Sequence, residues 1–91
     1  MLYDYGREFF LVTDDDTGET KLFKLWHNAV EYIARKLFDW QARVISTGKK
    51  NEWRAAASFE EMFNTIYEEK METVNEICEA YFVVEKIEFS D

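Results

Sequence analysis

The stretch VTDDDTGETKLFKLW, residues 12–26, sets four carboxylates around one glycine and then turns into a run of large apolar side chains. It reads either as a metal-binding loop or as the tip of a β-hairpin, and the choice fixes how the fold begins. A calcium loop of the EF-hand kind needs oxygen ligands at its first, third and fifth positions, glycine at the sixth and glutamate at the twelfth. With Gly18 as the sixth, the first is Thr13 and the twelfth is Lys24, and neither fits. Aspartates suit a turn because their side chains bond to nearby backbone amides.

The hairpin reading makes strands of residues 8–15 and 19–26, both rich in strand formers, with Asp16, Thr17 and Gly18 as a three-residue loop. Such a loop needs two ordinary turn residues and then one at positive φ, which is where Gly18 falls. This register sets Asp15 opposite Glu19, Leu11 opposite Phe23 and Phe9 opposite Leu25. Phe9, Leu11, Phe23 and Leu25 then form the core face. The other face carries Phe10, Val12, Leu22, Lys24 and Trp26, a mixed set expected to be partly covered or to bind something.

Downstream of the hairpin, apolar residues recur at helical spacing over residues 28–46: Val30, Ile33, Ala34, Leu37 and Val44, with Gln41 as the one polar member of the stripe. Asn28 is the expected N-cap and Gly48 the expected stop. Glu31, Arg35, Asp39 and Arg43 alternate in sign at four-residue steps, which is an ordinary solvated face. Ser58 and Glu61 form an S-x-x-E capping box opening a helix over residues 59–79, with Phe59, Phe63, Ile66, Val74 and Ile77 on its buried stripe. Lys70 interrupts that stripe, either as a snorkelling side chain or as the mark of a bend. Residues 80–89 alternate and are rich in strand formers. The expected fold is therefore α+β in the order β-β-α-α-β: one compact domain with a three-stranded antiparallel sheet and two helices packed on one face.

Ninety-one residues, 47% of them hydrophobic and 18% aromatic, supply enough material for one core. A lone cysteine, Cys78, excludes an internal disulfide framework. MLYDYGREFF shows no basic stretch leading into a long apolar run, and no apolar window reaches the ~18 residues of a membrane span. A cytoplasmic protein is expected. His27 and Cys78 lie in different elements, with no G-x-S-x-G, C-x-x-C or H-E-x-x-H pattern, and the three glycines are too dispersed to form a phosphate loop. No enzyme, metal or cofactor is expected.

Charge is the remaining signal. Of 19 acids and 11 bases, the last 32 residues hold Glu60, Glu61, Glu68, Glu69, Glu72, Glu76, Glu79, Glu85, Glu88 and Asp91 against only Lys70 and Lys86. The net charge of −8 thus comes wholly from the carboxyl-terminal third. Lys49, Lys50 and Arg54 around Trp53 suggest single-strand binding, but three cations do not outweigh that field, and they are expected to fold back toward the acidic helix.

Glu61, Glu68, Glu72, Glu76 and Glu79, with Glu69 at the edge, make one face of the second helix. The pairs at four-residue spacing repel by about 0.2–0.5 kcal/mol each. A helix that tolerates this repulsion suits a basic partner. The carboxylate spacing of about 6 Å is wider than the ~3.4 Å phosphate spacing of one DNA strand. Imitation of nucleic acid would therefore need acids from elsewhere, such as Glu85 and Glu88.

In general character, a short, acidic, aromatic-rich, proline-free domain without catalytic residues resembles the small inhibitors that phages and mobile elements deploy against host defence. That resemblance lies in composition alone. It implies an anti-CRISPR or anti-restriction type of inhibitor, acting in the host cytoplasm. Such a protein would cover the basic surface of a nucleic-acid-binding protein without binding nucleic acid or membrane itself. The alternatives are an immunity protein or antitoxin held against one toxin, and a structural or homodimerising module using Phe10, Val12, Leu22 and Trp26. The chain is expected to be a monomer or a homodimer.

Overall fold

The computed structural model describes residues 8–69, 71–78 and 81–88. Its elements are β1 (Glu8–Asp14), β2 (Thr20–Phe23), α1 (Trp26–Asp39), β3 (Arg43–Ser46), β4 (Trp53–Ala55), α2 (Phe59–Tyr67), α3 (Met71–Ile77) and β5 (Phe82–Glu88). The fold is α+β. The expected three-stranded antiparallel sheet is present in the order β2-β1-β5, and a two-stranded β3-β4 sheet is added to it. Among the described residues, three helices stand where two were expected. Residues 79, 80 and 89, at the expected limits of the second helix and the last strand, lie outside the described residues.

The hairpin forms, but one residue out of the expected register. Phe10 pairs with Phe23, Leu11 with Leu22, Val12 with Lys21 and Thr13 with Thr20. The loop is accordingly the four residues 15–18. The Gly18 amide donates to the Asp14 carbonyl at 2.8 Å, and the Asp14 amide donates to the Glu19 carbonyl at 2.8 Å. Asp14 causes the change: its Oδ1 accepts from the amides of Asp16 at 2.9 Å and Thr17 at 3.2 Å, so the turn is wound around a carboxylate. Gly18 supplies the left-handed residue, at φ 76°.

A one-residue slip exchanges faces on one strand of the pair. Phe10 and Val12 therefore share the core face with Phe23, and Leu11 shares the opposite face with Leu22. On β5 the core face holds Phe82 and Val84, the latter directly opposite Val12. The helices close over this side, with Trp26 against Phe10 at 5.2 Å, Tyr32 against Phe23 at 5.4 Å, and Trp40 stacked on Phe82 at 5.5 Å.

Helix α1 starts two residues before Asn28, with Leu25 as an N-cap that offers no side-chain bond. Packing of Trp26 against the sheet replaces a polar cap as the reason for the start. The helix stops at Asp39, well short of residue 46. Gln41 adopts φ 53°, the Ala42 amide donates to the Leu37 carbonyl at 2.9 Å, and the Gln41 amide donates to Phe38 at 3.0 Å. This pairing is a Schellman motif with glutamine in the position usually taken by glycine. Val44 and Ile45 then go into β3, where an irregular pairing between Arg43 and Ile45 lets both consecutive side chains be buried. Gly48, at φ 90°, serves the β3–β4 loop instead of ending a helix.

The expected long second helix is two helices. Glu68 caps α2, its amide donating to Asn64, and the Glu69 amide reaches only to Ile66, which tightens the last turn. Ile66 and Val74 are the buried residues on either side of the break, eight positions apart with polar residue 70 between them. One straight helix would carry position 70 onto the same buried stripe. A single core gathers Val12, Val30, Ile33, Leu37, Val44, Met62, Ile66, Val74, Cys78, Phe82 and Val84 from both sheets and all three helices.

Candidate functional site

Among the described residues, the acids of the carboxyl-terminal third include one, Glu61, that is spent within the chain and several that no cation pairs. Glu61, in the first turn of α2, accepts both guanidinium nitrogens of Arg54, Nη1 at 2.9 Å and Nη2 in a second, shorter contact. It also accepts the Ala57 amide at 2.7 Å, while its own amide donates to Ser58 Oγ at 3.1 Å. The capping box is thus half as expected: Ser58 caps, but the glutamate reaches back to Ala57. The Arg54 hydrogen bond first, and the Ala57 amide second, pull the Glu61 carboxyl down to about 2, and the same pair holds Arg54 above its ordinary value. Of the three cations expected to fold back, Arg54 does so, and Glu61 is engaged within the chain.

Glu68, Glu69, Glu72 and Glu76 are all exposed, and none has a lysine or arginine within ion-pair reach among the described residues. Glu79 lies outside the described residues. The expectation of one unbroken ridge is corrected by the helix break. Glu68 closes α2, Glu69 lies in the turn, and Glu72 sits in the first turn of α3, where the helix dipole favours a carboxylate. Glu72 and Glu76 remain a repelling pair within one helix.

The break and the unexpected hairpin together build a groove of ≈ 680 Å³ between β3–β4 and α3. Trp53 and Tyr81 line it together with Glu69, Glu76 and Arg43, and Ser46, Thr65 and Thr73 add hydroxyl groups. In the sequence, Trp53 stands out only as an aromatic among cations. Nothing there signals that it meets Tyr81 and two glutamates, because the strand that carries it reads as the loop after a helix.

The residues assigned to the outer sheet face are largely core. Val12 is 1% exposed, and Phe10 and Trp26 pack against the core cluster; only Leu22, at 49% exposure, faces outward. The slipped register gives the physical reason. The outward face instead carries Leu11 and Leu22 as direct neighbours, with Phe9 opposite Ile87 and Val83 opposite Thr13. Val83 is 40% exposed.

Two further side chains are placed as structural groups. His27 packs edge-on against Phe63 at 5.2 Å and Tyr67 at 5.9 Å. Cys78 is a buried filler beside Val74 and Phe82, and burial pushes its thiol up to about 12, which leaves it unreactive at neutral pH. Arg35, expected in a charge ladder, lies 4.4 Å over the Phe59 ring. Among the described residues, no three His, Cys, Asp or Glu side chains converge in a way that could hold a metal ion, and no helix is long and apolar enough to cross a membrane.

No family model matches the chain, nor does any curated protein or solved structure.

Proposed function

We propose that the protein is a non-enzymatic acidic inhibitor that docks the α2–α3 face onto a basic, nucleic-acid-binding surface of a host defence protein or nuclease. The observation that carries this reading is the lack of internal neutralisation. The chain satisfies Glu61 with its own Arg54, yet leaves Glu68, Glu69, Glu72 and Glu76 without a cation among the described residues. Unpaired carboxylates of one sign steer association with a positive surface and set its salt dependence. The test is capture from host lysates at low and high salt, comparing the natural chain with a Glu68→Gln, Glu72→Gln, Glu76→Gln variant. A nucleic-acid-binding protein retained at low salt, lost with the variant and displaced by added DNA or RNA is expected. Retention that is unchanged by the three substitutions removes the electrostatic reading.

A second reading, a homodimerising module, is favoured by the outer sheet face of Leu11, Leu22, Val83 and Ile87. Apolar residues on the side of the sheet opposite the helices suit burial against a second copy. Sedimentation showing a dimer that persists in high salt would support it, and a monomer at high protein concentration would count against it.

A further inference from the structure

The acidic face is exposed, whereas the groove beside it is concave and combines two kinds of recognition chemistry. Trp53, 44% exposed, and Tyr81 bring aromatic rings, while Glu69 and Glu76 bring carboxylates that no cation pairs among the described residues. Guanidinium groups are held by these two means, flat against a ring and in a fork around a carboxylate. The chain uses both on its own arginines: Arg35 lies over Phe59, and Arg54 forks onto Glu61. We infer that the groove between β3–β4 and α3 receives one arginine side chain of the basic partner, with Trp53 and Tyr81 as its aromatic walls and Glu69 and Glu76 as its counter-charges.

This inference rests on the proposed docking of the acidic face and adds the side chain that anchors it. Charge complementarity selects the occupant, since among the described residues two glutamates outnumber Arg43, the one cation along the groove. Arg43 also gives the idea a sign: it opposes an incoming guanidinium, so its removal strengthens binding. Lysine is the poorer guest, because a compact ammonium can neither lie flat on a ring nor fork across a carboxylate.

The test is an NMR titration of the labelled protein with a short glycine-flanked peptide carrying one arginine, run beside lysine and citrulline versions. Saturable shifts of the Trp53 indole and of the Glu69 and Glu76 amides are expected with arginine, several-fold weaker binding with lysine, and none with citrulline. Trp53→Ala and the Glu69→Gln, Glu76→Gln pair each weaken binding up to about tenfold, and Arg43→Gln tightens it. Trp53 is exposed enough for its removal to leave the fold intact, which the remaining amide spectrum reports. Equal shifts with citrulline, shifts scattered over Glu72 and Glu85, or indifference to Trp53→Ala would overturn the inference. Arginine-dependent binding without any lysate partner upholds the groove and sinks the inhibitor reading. A captured partner with no arginine-dependent shift does the reverse.

Discussion

Asn75 binds the backbone of Val84 as another strand would: its Nδ2 donates to the Val84 carbonyl at 2.8 Å, and its Oδ1 accepts the Val84 amide at 2.7 Å. Strand β5 is an edge of the three-stranded sheet, and these are the groups it turns away from β1. A helix side chain thus occupies the middle of an edge that could otherwise recruit a foreign strand. It also ties α3 to the sheet at the residue paired with Val12 on the neighbouring strand.

Asn75→Ala removes both bonds and leaves Val84 with two unmet polar groups in a partly buried place. A loss of about 1–3 kcal/mol in urea unfolding is expected. The Val84 amide should exchange with solvent faster, and aggregation should rise with concentration. Asn75→Asp keeps the bond to the amide but sets a carboxylate oxygen against the Val84 carbonyl, so it should not restore stability at neutral pH.

The Arg54–Glu61 pair predicts an acid-sensitive contribution to stability. The Glu61 carboxyl lies at about 2 in the folded chain against an ordinary 4.5. A depressed carboxyl adds stability that is complete above its unfolded value and is lost as pH falls through the folded one. The stability difference between the natural chain and Glu61→Gln should therefore be constant above about pH 5.5 and shrink between pH 4.5 and 2. Salt should reduce it, because the pair is exposed. Thermal melts of both proteins across that range decide it, and a difference independent of pH would contradict the pairing.

Gln41 shows where the sequence stops being readable. The 3.6-residue period of Val30, Ile33, Ala34 and Leu37 runs on through Gln41 and Val44, so periodicity alone extends the helix, although the β-branched Val44 and Ile45 favour a strand. What ends the helix is a glutamine at positive φ, and glutamine carries no such signal. The hairpin slip has a similar origin, since only the folded loop shows Asp14 gathering two amides. Ser58 is legible because capping follows from residue type. The groove is not, as it depends on a hairpin and a helix break that periodicity conceals. Glycine fits the left-handed conformation without a Cβ penalty, so Gln41→Gly should raise stability by about 0.5–1 kcal/mol, with Gln41→Val lowering it by more than about 1 kcal/mol. Urea midpoints of the two variants measure both, and equal effects would show that position 41 is not left-handed.

The register of the hairpin can be tested through two residues that a three-residue loop would place on the same outer face. Val12 is 1% exposed and opposes Val84 across the sheet, whereas Leu22 is 49% exposed. Truncating Val12 to alanine removes two methyl groups from a closed core and should cost about 2 kcal/mol. Leu22→Ala leaves no cavity and should stay within about 0.5 kcal/mol. Charge sharpens the contrast, because Val12→Lys buries an unpaired ammonium and should leave the chain unfolded, while Leu22→Lys should fold normally. Leu22→Lys also serves the dimer reading, since a dimer built on this face should weaken when a charge is placed on it. Equal tolerance at positions 12 and 22 would restore the three-residue loop and return Val12 to the surface.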